Sequence, residues 1–161
     1  MFRIGHGYDA HRFGGEGPLK LGGVDVPHNA GLLAHSDGDV VLHALSDALL
    51  GAAALGDIGR HFPDSDAQYA NADSGELLRE TVQLVRQAGF GPVNADLTVV
   101  AQTPRLAPFI PSMQARIAAL LAIDAGAVNV KATTTERMGF VGREEGIVAH
   151  AVALITALAR D

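Results

Sequence analysis

An aspartate and a histidine stand two positions apart near the start of the chain, in Asp9-Ala10-His11. Residues 2–11 predict a β-strand, in which positions i and i+2 face the same side, so the carboxylate and the imidazole converge. Such a pair supplies two ligands for a divalent metal and needs at least one more. Taken alone, such a pair is more often an exposed polar pair on a strand than a metal site.

A further ligand candidate is His43, which lies in the apolar segment VVLHALSDALLGAAAL. Apolar residues at helical spacing predict a helix that begins at Asp39 and ends at Gly56. Asp39, His43 and Asp47 are spaced at i, i+4 and i+8 and therefore share one helix face. One Asp and two His with a fourth position open are typical of a catalytic zinc site. The alternatives are a buried core role for His43 and a helix cap for Asp39.

Two other segments carry groups suited to phosphate or a nucleotide. Lys131-Ala-Thr-Thr-Thr-Glu136 places three hydroxyls beside a carboxylate, which can bind phosphate oxygens and a second cation. Residues 101–107, AQTPRLA, follow a predicted strand and offer backbone N–H groups and the guanidinium of Arg105. The alternatives are β-propensity for the threonines and an ordinary loop for the second segment.

Composition excludes several function classes. The 161 residues include no cysteine and seven histidines, six of them within the first 61 positions, so thiolate metal sites and cysteine nucleophiles are excluded while imidazole chemistry is open. Residues 1–66 carry four Lys or Arg against nine Asp or Glu, which favours a bound cation over nucleic acid. No apolar run approaches the length of a membrane span and no leader-like segment is recognisable, so we expect a cytoplasmic protein.

The elements that must position these groups predict one α+β domain over residues 1–161. Residues 2–11 and 19–27 predict strands joined by the turn Gly14–Gly17, and residues 57–73 predict a loop. The order β-β-α-α-β-α-β-β then implies a mixed sheet of about four strands with helices on one face and a short N-terminal hairpin. The remaining elements are helices at 74–88 and 108–122 and strands at 94–102, 128–136 and 146–158.

Four blocks together resemble the 2-C-methyl-D-erythritol 2,4-cyclodiphosphate synthase family. They are GHGYDAHRF at 5–13, GLLAHSDGDVVLHALSDALLGAAALGDIG at 31–59, FPDSD at 62–66 and VKATTTERMGFVGREEGI at 130–147. The blocks come in the family's order over nearly the whole chain, which makes the resemblance far more specific than any single motif above.

The resemblance implies a phosphorus–oxygen lyase of the non-mevalonate isoprenoid route. Its substrate, 4-diphosphocytidyl-2-C-methyl-D-erythritol 2-phosphate, becomes the cyclic 2,4-diphosphate and CMP is released. The substrate's own 2-phosphate attacks its β-phosphoryl group, so positioning and charge neutralisation carry the catalysis. The resemblance implies Zn²⁺ at Asp9, His11 and His43, and a Mg²⁺ or Mn²⁺ ion on the diphosphate held by Glu136.

Residue roles also follow from the resemblance. His35 and Thr134 match the family's transition-state stabilisers, and residues 101–107 match its cytidine-binding stretch. The implied substrate contacts are Asp9, Ala10, His11, His35, Ser36, Asp57, Ile58, Gly59, Phe62, Pro63, Asp64, Ser65, Asp66, Ala101, Gln102, Thr103, Pro104, Arg105, Leu106, Ala107, Thr133, Thr134, Thr135, Glu136, Phe140 and Arg143.

The family is a homotrimer with active sites at subunit interfaces, so the resemblance implies the same assembly here. It also implies that an isoprenoid diphosphate could bind along the trimer axis near Arg143. Two other functions stay open at this point: a non-catalytic trimeric module that binds metal or an isoprenoid diphosphate, and a zinc hydrolase that yields linear phosphates.

Overall fold

A computed structural model of the protein describes residues 1–63, 65–69 and 71–159. None of the helices in these ranges is long and apolar enough to cross a membrane. The strands are β1 (Phe2–Gly14), β2 (Leu19–Leu21), β3 (Val24–Val26), β4 (Gly31–Leu32), β5 (Phe90–Val100), β6 (Val128–Thr133) and β7 (Gly146–Ala157). The helices are α1 (Val40–Ala53), α2 (Ile58–His61), α3 (Ser74–Gln87), α4 (Ile110–Leu121) and α5 (Gly139–Gly142).

The main sheet is mixed, with strand order β4-β1-β7-β5-β6. β5 and β6 pair in parallel, whereas β1 with β4, β1 with β7 and β5 with β7 pair antiparallel. One face packs on α1, α3 and α4, and the other face leaves Ile4 and Tyr8 of β1 71% and 49% exposed. The predicted α+β class, with a mixed sheet and helices on one face, is confirmed.

Contact between β1 and α1 is close enough to be backbone against backbone. A Cβ added at Gly5 would lie 1.9 Å from the Ala48 carbonyl oxygen, and one added at Gly7 would lie 1.8 Å from the Ala44 carbonyl oxygen. Two residues advance a strand by about 6.6 Å and four residues advance a helix by about 6 Å, so the two elements run antiparallel in step. The next step along β1 is Asp9, which therefore arrives beside the first turn of α1.

Asp39 fixes the start of α1 and also holds the hairpin of β2 and β3. Its buried carboxylate accepts hydrogen bonds from the backbone N–H groups of Val41 and Leu42 and from those of Gly22 and Gly23. The first pair caps the helix, and the second pair comes from the hairpin turn. The expected N-terminal hairpin therefore lies within residues 19–27, which form both of its strands. The expectation that residues 2–11 and 19–27 follow one another as neighbouring strands was wrong, because β1 pairs with β7 and β4 instead.

Several element boundaries also differ from the prediction. β5 begins at Phe90 rather than at residue 94, because a register shift between Pro92 and Asn94 lets the strand accommodate the proline. The predicted loop 57–73 contains α2 and a short 3-10 turn at Ala67–Tyr69. β6 ends at Thr133, and Glu136 then has φ near 50°, which an extended strand does not allow.

We predict that Gly7→Ala destabilises the protein, because the added methyl collides with helix backbone that cannot move without displacing α1. The expected loss of unfolding free energy is about 3 kcal/mol, or roughly 6–12 °C in melting temperature. Gly51→Ala is the matched control, since Gly51 lies on the exposed side of the same helix with open space around its Cβ position. It should gain about 0.5–1 kcal/mol. Thermal unfolding followed by circular dichroism measures both, and equal melting temperatures for Gly7→Ala and the native chain would contradict the packing argument.

Candidate functional site

Asp9, His11 and His43 form a compact cluster between β1 and α1. Asp9 Oδ2 lies 2.8 Å from His11 Nε2 and 3.0 Å from His43 Nδ1, and these two ring nitrogens are 3.2 Å apart. Asp9 and His11 point toward the helices because they occupy alternate positions of β1, and His43 meets them from the first turn of α1. The structure thus brings together the three residues that the sequence suggested as metal ligands.

The donor atoms fit a small divalent cation. Ligands that share a tetrahedral ion at about 2.0–2.2 Å lie roughly 3.3–3.6 Å from one another, so a slight outward shift of the three side chains admits the ion. Each imidazole also has its other nitrogen engaged. His11 Nδ1 donates to the Leu33 carbonyl oxygen at 3.0 Å, and His43 Nε2 faces the hydroxyls of Ser36 and Ser74. Such outer contacts orient histidine ligands in metal sites.

The electrostatics of the cluster also favour a cation. Burial acts to raise the pKa of Asp9, but its close contacts with the His11 and His43 imidazoles outweigh it and hold that pKa well below its usual range. Burial acts in the opposite direction on His11, and the Asp9 carboxylate still raises the pKa of that imidazole. Asp9 therefore remains an anion, the form in which a carboxylate binds metal.

Asp39 and Asp47 take other roles, although they share a helix face with His43. Asp39 is fully buried and caps α1, as its alternative interpretation proposed. Asp47 accepts a hydrogen bond from the Ile58 backbone N–H at 2.8 Å, and burial raises the pKa of its carboxyl group. It thereby fixes α2 against α1.

A pocket of about 380 Å³ opens beside the cluster. Its walls come from the segment before α1, from α2 and the residue that follows it, and from α3. The predicted site residues that line it are Asp9, His11, His35, Ser36, His43, Ile58, Gly59 and Phe62. Five further residues also line the pocket, namely Leu33, Ala34, Ser46, Tyr69 and Leu77. No motif indicated them, because packing between elements alone brings them to the site.

A second pocket lies between the segment after β5 and the end of β6. It brings together the proposed cytidine-binding stretch and the proposed stabiliser Thr134. The predicted residues that line it are Ala101, Gln102, Pro104, Arg105, Leu106, Ala107, Thr133 and Thr134. Thr103 lies in the same segment without lining the pocket.

Both pockets lie at one end of the sheet but on different strands. The register pairs His11 of β1 with Ile147 of β7, and Val100 of β5 with both Val148 of β7 and Thr133 of β6. β1 and β6 are three strands apart, a lateral distance of about 14 Å at ~4.8 Å per strand. One chain therefore does not place Thr134 against the metal cluster.

Other predicted site residues, Thr135 and Glu136 among them, do not line these two pockets. Glu136 Oε1 lies 3.4 Å from Oγ1 of Thr134, and Thr135 Oγ1 donates to the Met138 carbonyl oxygen. Ala10 and Phe140 line a separate groove between β1 and the segment around α5. The ion pair of Arg143 with Glu145 lies near this groove.

The predicted segment around α2 also lies partly outside the pocket. Asp57 accepts from the Arg60 N–H and caps α2, and Asp66 binds Gln68. Pro63 and Ser65 are in the same loop, and Asp64 lies outside the described residues.

The other histidines have contacts of their own. His28 stacks on Phe13, and the Nε2 of His61 lies 2.9 Å from the Leu55 carbonyl oxygen. His6 and His150 pair on the open face of the sheet at 3.3 Å. None of these four is part of the metal cluster.

Known proteins share both the sequence and this architecture. Residues 2–156 match the YgbB family. A protein of Nitrosococcus oceani named 2-C-methyl-D-erythritol 2,4-cyclodiphosphate synthase is 60% identical over 153 residues, covering 95% of this chain and 97% of that protein. The bifunctional IspDF of Campylobacter jejuni superposes with a TM-score of 0.95 at 47% identity, over 98% of this chain and 43% of that longer chain. IspF of Plasmodium falciparum in its CDP complex superposes with a TM-score of 0.85 at 32% identity, over 98% of this chain and 97% of that one.

The chain therefore has the α+β fold of solved 2C-methyl-D-erythritol 2,4-cyclodiphosphate synthases. The chain belongs to the YgbB family. Curated proteins that are 60–63% identical to it are named 2-C-methyl-D-erythritol 2,4-cyclodiphosphate synthase.

We predict that His43→Ala abolishes binding of a divalent cation and leaves the chain folded, because His43 contributes a ligand atom and α1 retains its cap at Asp39. After incubation with Zn²⁺ as the probe, the zinc content should be about one ion per native chain and near zero for the variant. His28→Ala serves as the control, since His28 lies outside the cluster and should leave the zinc content unchanged. Elemental analysis after dialysis, with circular dichroism to check the fold, measures both. Loss of the folded state in His43→Ala would instead assign that residue a purely structural role in the core.

Proposed function

We propose that the protein converts 4-diphosphocytidyl-2-C-methyl-D-erythritol 2-phosphate into 2-C-methyl-D-erythritol 2,4-cyclodiphosphate and CMP, as a phosphorus–oxygen lyase of the non-mevalonate isoprenoid route. The observation that carries the proposal is the Asp9–His11–His43 cluster beside a pocket lined by His35, in a chain about 60% identical to enzymes of that name. The proposal keeps the cytoplasmic location expected from the sequence.

The reaction needs two anionic groups to meet. A bond forms between an oxygen of the 2-phosphate and the β-phosphorus, and the bond from that phosphorus to the bridging oxygen breaks, so the oxygen leaves with CMP. No group from the protein enters a covalent bond. The described site agrees with this demand, because its polar groups can hold and neutralise phosphates.

Asp9, His11 and His43 would hold a zinc ion, and Glu136 would hold a Mg²⁺ or Mn²⁺ ion on the diphosphate. Bound cations of this kind neutralise phosphoryl oxygens and polarise phosphorus. His35 and Ser36 lie in the wall of the same pocket and would orient the phosphates by hydrogen bonding. The loop after α2, with Phe62 at the pocket, would enclose the methylerythritol part of the substrate.

Residues 101–107 would receive the cytidine. In the second pocket the guanidinium of Arg105 and the hydroxyls of Thr133 and Thr134 are available to an anionic nucleotide. Thr134 would stabilise charge on the transferred phosphoryl group. Phe140 and Arg143 remain proposed contacts at the margin of the site.

We further propose that the active protein is a homotrimer in which neighbouring chains share each site. Three features of the single chain support this. The two pockets lie about three strands apart, β6 ends the strand order of the described sheet, and the open face exposes Phe2, Ile4 and Tyr8. An exposed apolar face of this kind is typical of a surface that another protein chain covers. In the trimer an isoprenoid diphosphate could bind near Arg143.

Product analysis tests the activity directly. The purified protein with Zn²⁺ and Mg²⁺ should release CMP in step with the cyclic diphosphate, detected by ³¹P NMR. Linear phosphates in place of the cyclic product would identify a zinc hydrolase. Absence of any turnover by the metal-loaded protein would favour the non-catalytic binding module.

Mixed assemblies test the shared sites. We predict that His43→Ala and Thr134→Ala chains are each inactive alone but regain activity when they are refolded together. With equal, random mixing, a site needs an intact metal cluster from one chain and an intact Thr134 from its neighbour, so about a quarter of the native activity should return. The same two changes in one chain, refolded with the native chain, provide the matched comparison. Zero recovery in the mixture of single variants would place both residues in one chain's site.

A further inference from the structure

The contacts of His43 extend beyond the metal cluster into a buried hydrogen-bond chain. Its Nε2 lies 2.9 Å from Ser74 Oγ and 3.1 Å from Ser36 Oγ. The Ser74 hydroxyl donates to Asp37 Oδ1, and the Ser74 backbone N–H donates to Asp37 Oδ2 at 3.0 Å. Ser74 is only 1% exposed and His43 only 8%, so their contact is shielded from water, whereas Ser36 and Asp37 are half-buried.

Chemistry decides which atom donates at each step of this hydrogen-bond chain. An ionised carboxylate only accepts hydrogen bonds, so the single proton of the Ser74 hydroxyl must point to Asp37. The lone pairs of Ser74 Oγ then face His43, and the contact at Nε2 is satisfied only when that nitrogen carries the proton. The Nδ1 of the same ring is left with a lone pair, which is what a metal ion requires.

We propose that Ser74 and Asp37 are positioning residues that hold His43 in its Nε2–H tautomer and so present Nδ1 to the metal. The proposal rests on the metal site described under the proposed function. Neither residue contacts the ligand atoms of the cluster, and both act through His43 alone.

A competing attraction makes this control necessary. Asp9 Oδ2 lies 3.0 Å from His43 Nδ1, so in the absence of metal the carboxylate draws the ring proton to the nitrogen that must bind the ion. The tautomer of His11 is set directly by the backbone. Its Nδ1 faces the Leu33 carbonyl oxygen, which only accepts, so Nδ1 carries the proton and Nε2 is left for the metal. The hydroxyl of Ser74 can donate or accept a hydrogen bond. Because it donates to Asp37, it is left as an acceptor toward His43.

Ser36 does not provide the same control. Its hydroxyl oxygen accepts from the Gly38 N–H, and in the described structure no carboxylate receives its proton. That proton is free to turn toward His43 Nε2, so Ser36 accommodates either tautomer. Asp37 is held in place, since its Oδ1 also accepts from the Asp39 N–H at 3.1 Å.

Substitution of Ser74 breaks the hydrogen-bond chain without removing the cap of α3. Ser74 is the first residue of α3, and the cap of that helix comes from Asp73, whose carboxylate accepts from Gly75 and Glu76. Ser74→Ala therefore removes one hydroxyl and keeps the helix cap. Thr81→Val in the same helix is the matched control, because Thr81 is fully buried and its hydroxyl has no hydrogen-bond partner among the described residues.

Two measurements on the 161-residue protein test the proposal. The first is the ¹⁵N chemical shifts of the His43 ring in metal-free protein, which report the protonated nitrogen. The second is Zn²⁺ affinity by competition with a chromophoric chelator. We expect Ser74→Ala to lose the Nε2–H tautomer and to bind Zn²⁺ about 10-fold or more weakly. Ser74→Thr, which keeps the hydroxyl, and Thr81→Val should both stay within about twofold of the native affinity.

The outcomes separate this proposal from the one on which it rests. Native Zn²⁺ affinity in Ser74→Ala, or an unchanged Nε2–H tautomer there, overturns the positioning role. A native protein that binds no Zn²⁺ overturns the metal site itself, and the tautomer in the metal-free variants still decides the role of Ser74.

Discussion

The direct contact of β1 with α1 is the constraint on which the rest of the structure depends. Gly5 and Gly7 carry no side chains, so the strand backbone reaches the carbonyl oxygens of Ala48 and Ala44. This contact fixes the two elements antiparallel and in step, and the continuation of the strand brings Asp9 and His11 beside His43. The position of the Asp9–His11–His43 cluster thus follows from two glycines that precede Asp9 in the chain.

Around this contact, one buried and two half-buried carboxylates connect the loops that form the site to the elements that support it. Asp39 joins the start of α1 to the β2–β3 turn, and Asp47 joins α1 to α2. Asp37 joins the segment before α1 to the start of α3. Each carboxylate accepts from backbone N–H groups, so loops without regular pairing are still held in place. These hydrogen bonds keep the walls of the pocket in place before any ligand binds.

Local chemistry explains which predictions were confirmed. The alternation of β1 predicts that Asp9 and His11 share a face, and the apolar run of α1 predicts a buried helix that carries His43. The helical spacing of Asp39, His43 and Asp47 was misleading, because the face of a buried helix contacts different neighbours along its length. Asp39 meets the hairpin turn, and Asp47 meets Ile58, so neither reaches the cluster. The neighbours of β1 were also wrong, since strand order depends on contacts between residues far apart in the chain.

The sequence by itself determined the kinds of group available, the faces of strand and helix on which they lie, and, through its motifs, the family. It also determined the absence of cysteine chemistry. Only the tertiary structure decided that Asp9 and His11 meet His43, that Tyr69 and Leu77 line the same pocket, and that Ser74 contacts His43 across 31 positions. It also decided that residues 101–107 and Thr134 share a different pocket from the metal cluster. The physical reason is that periodicity fixes the direction of a side chain within its own element, whereas packing between elements fixes what it meets.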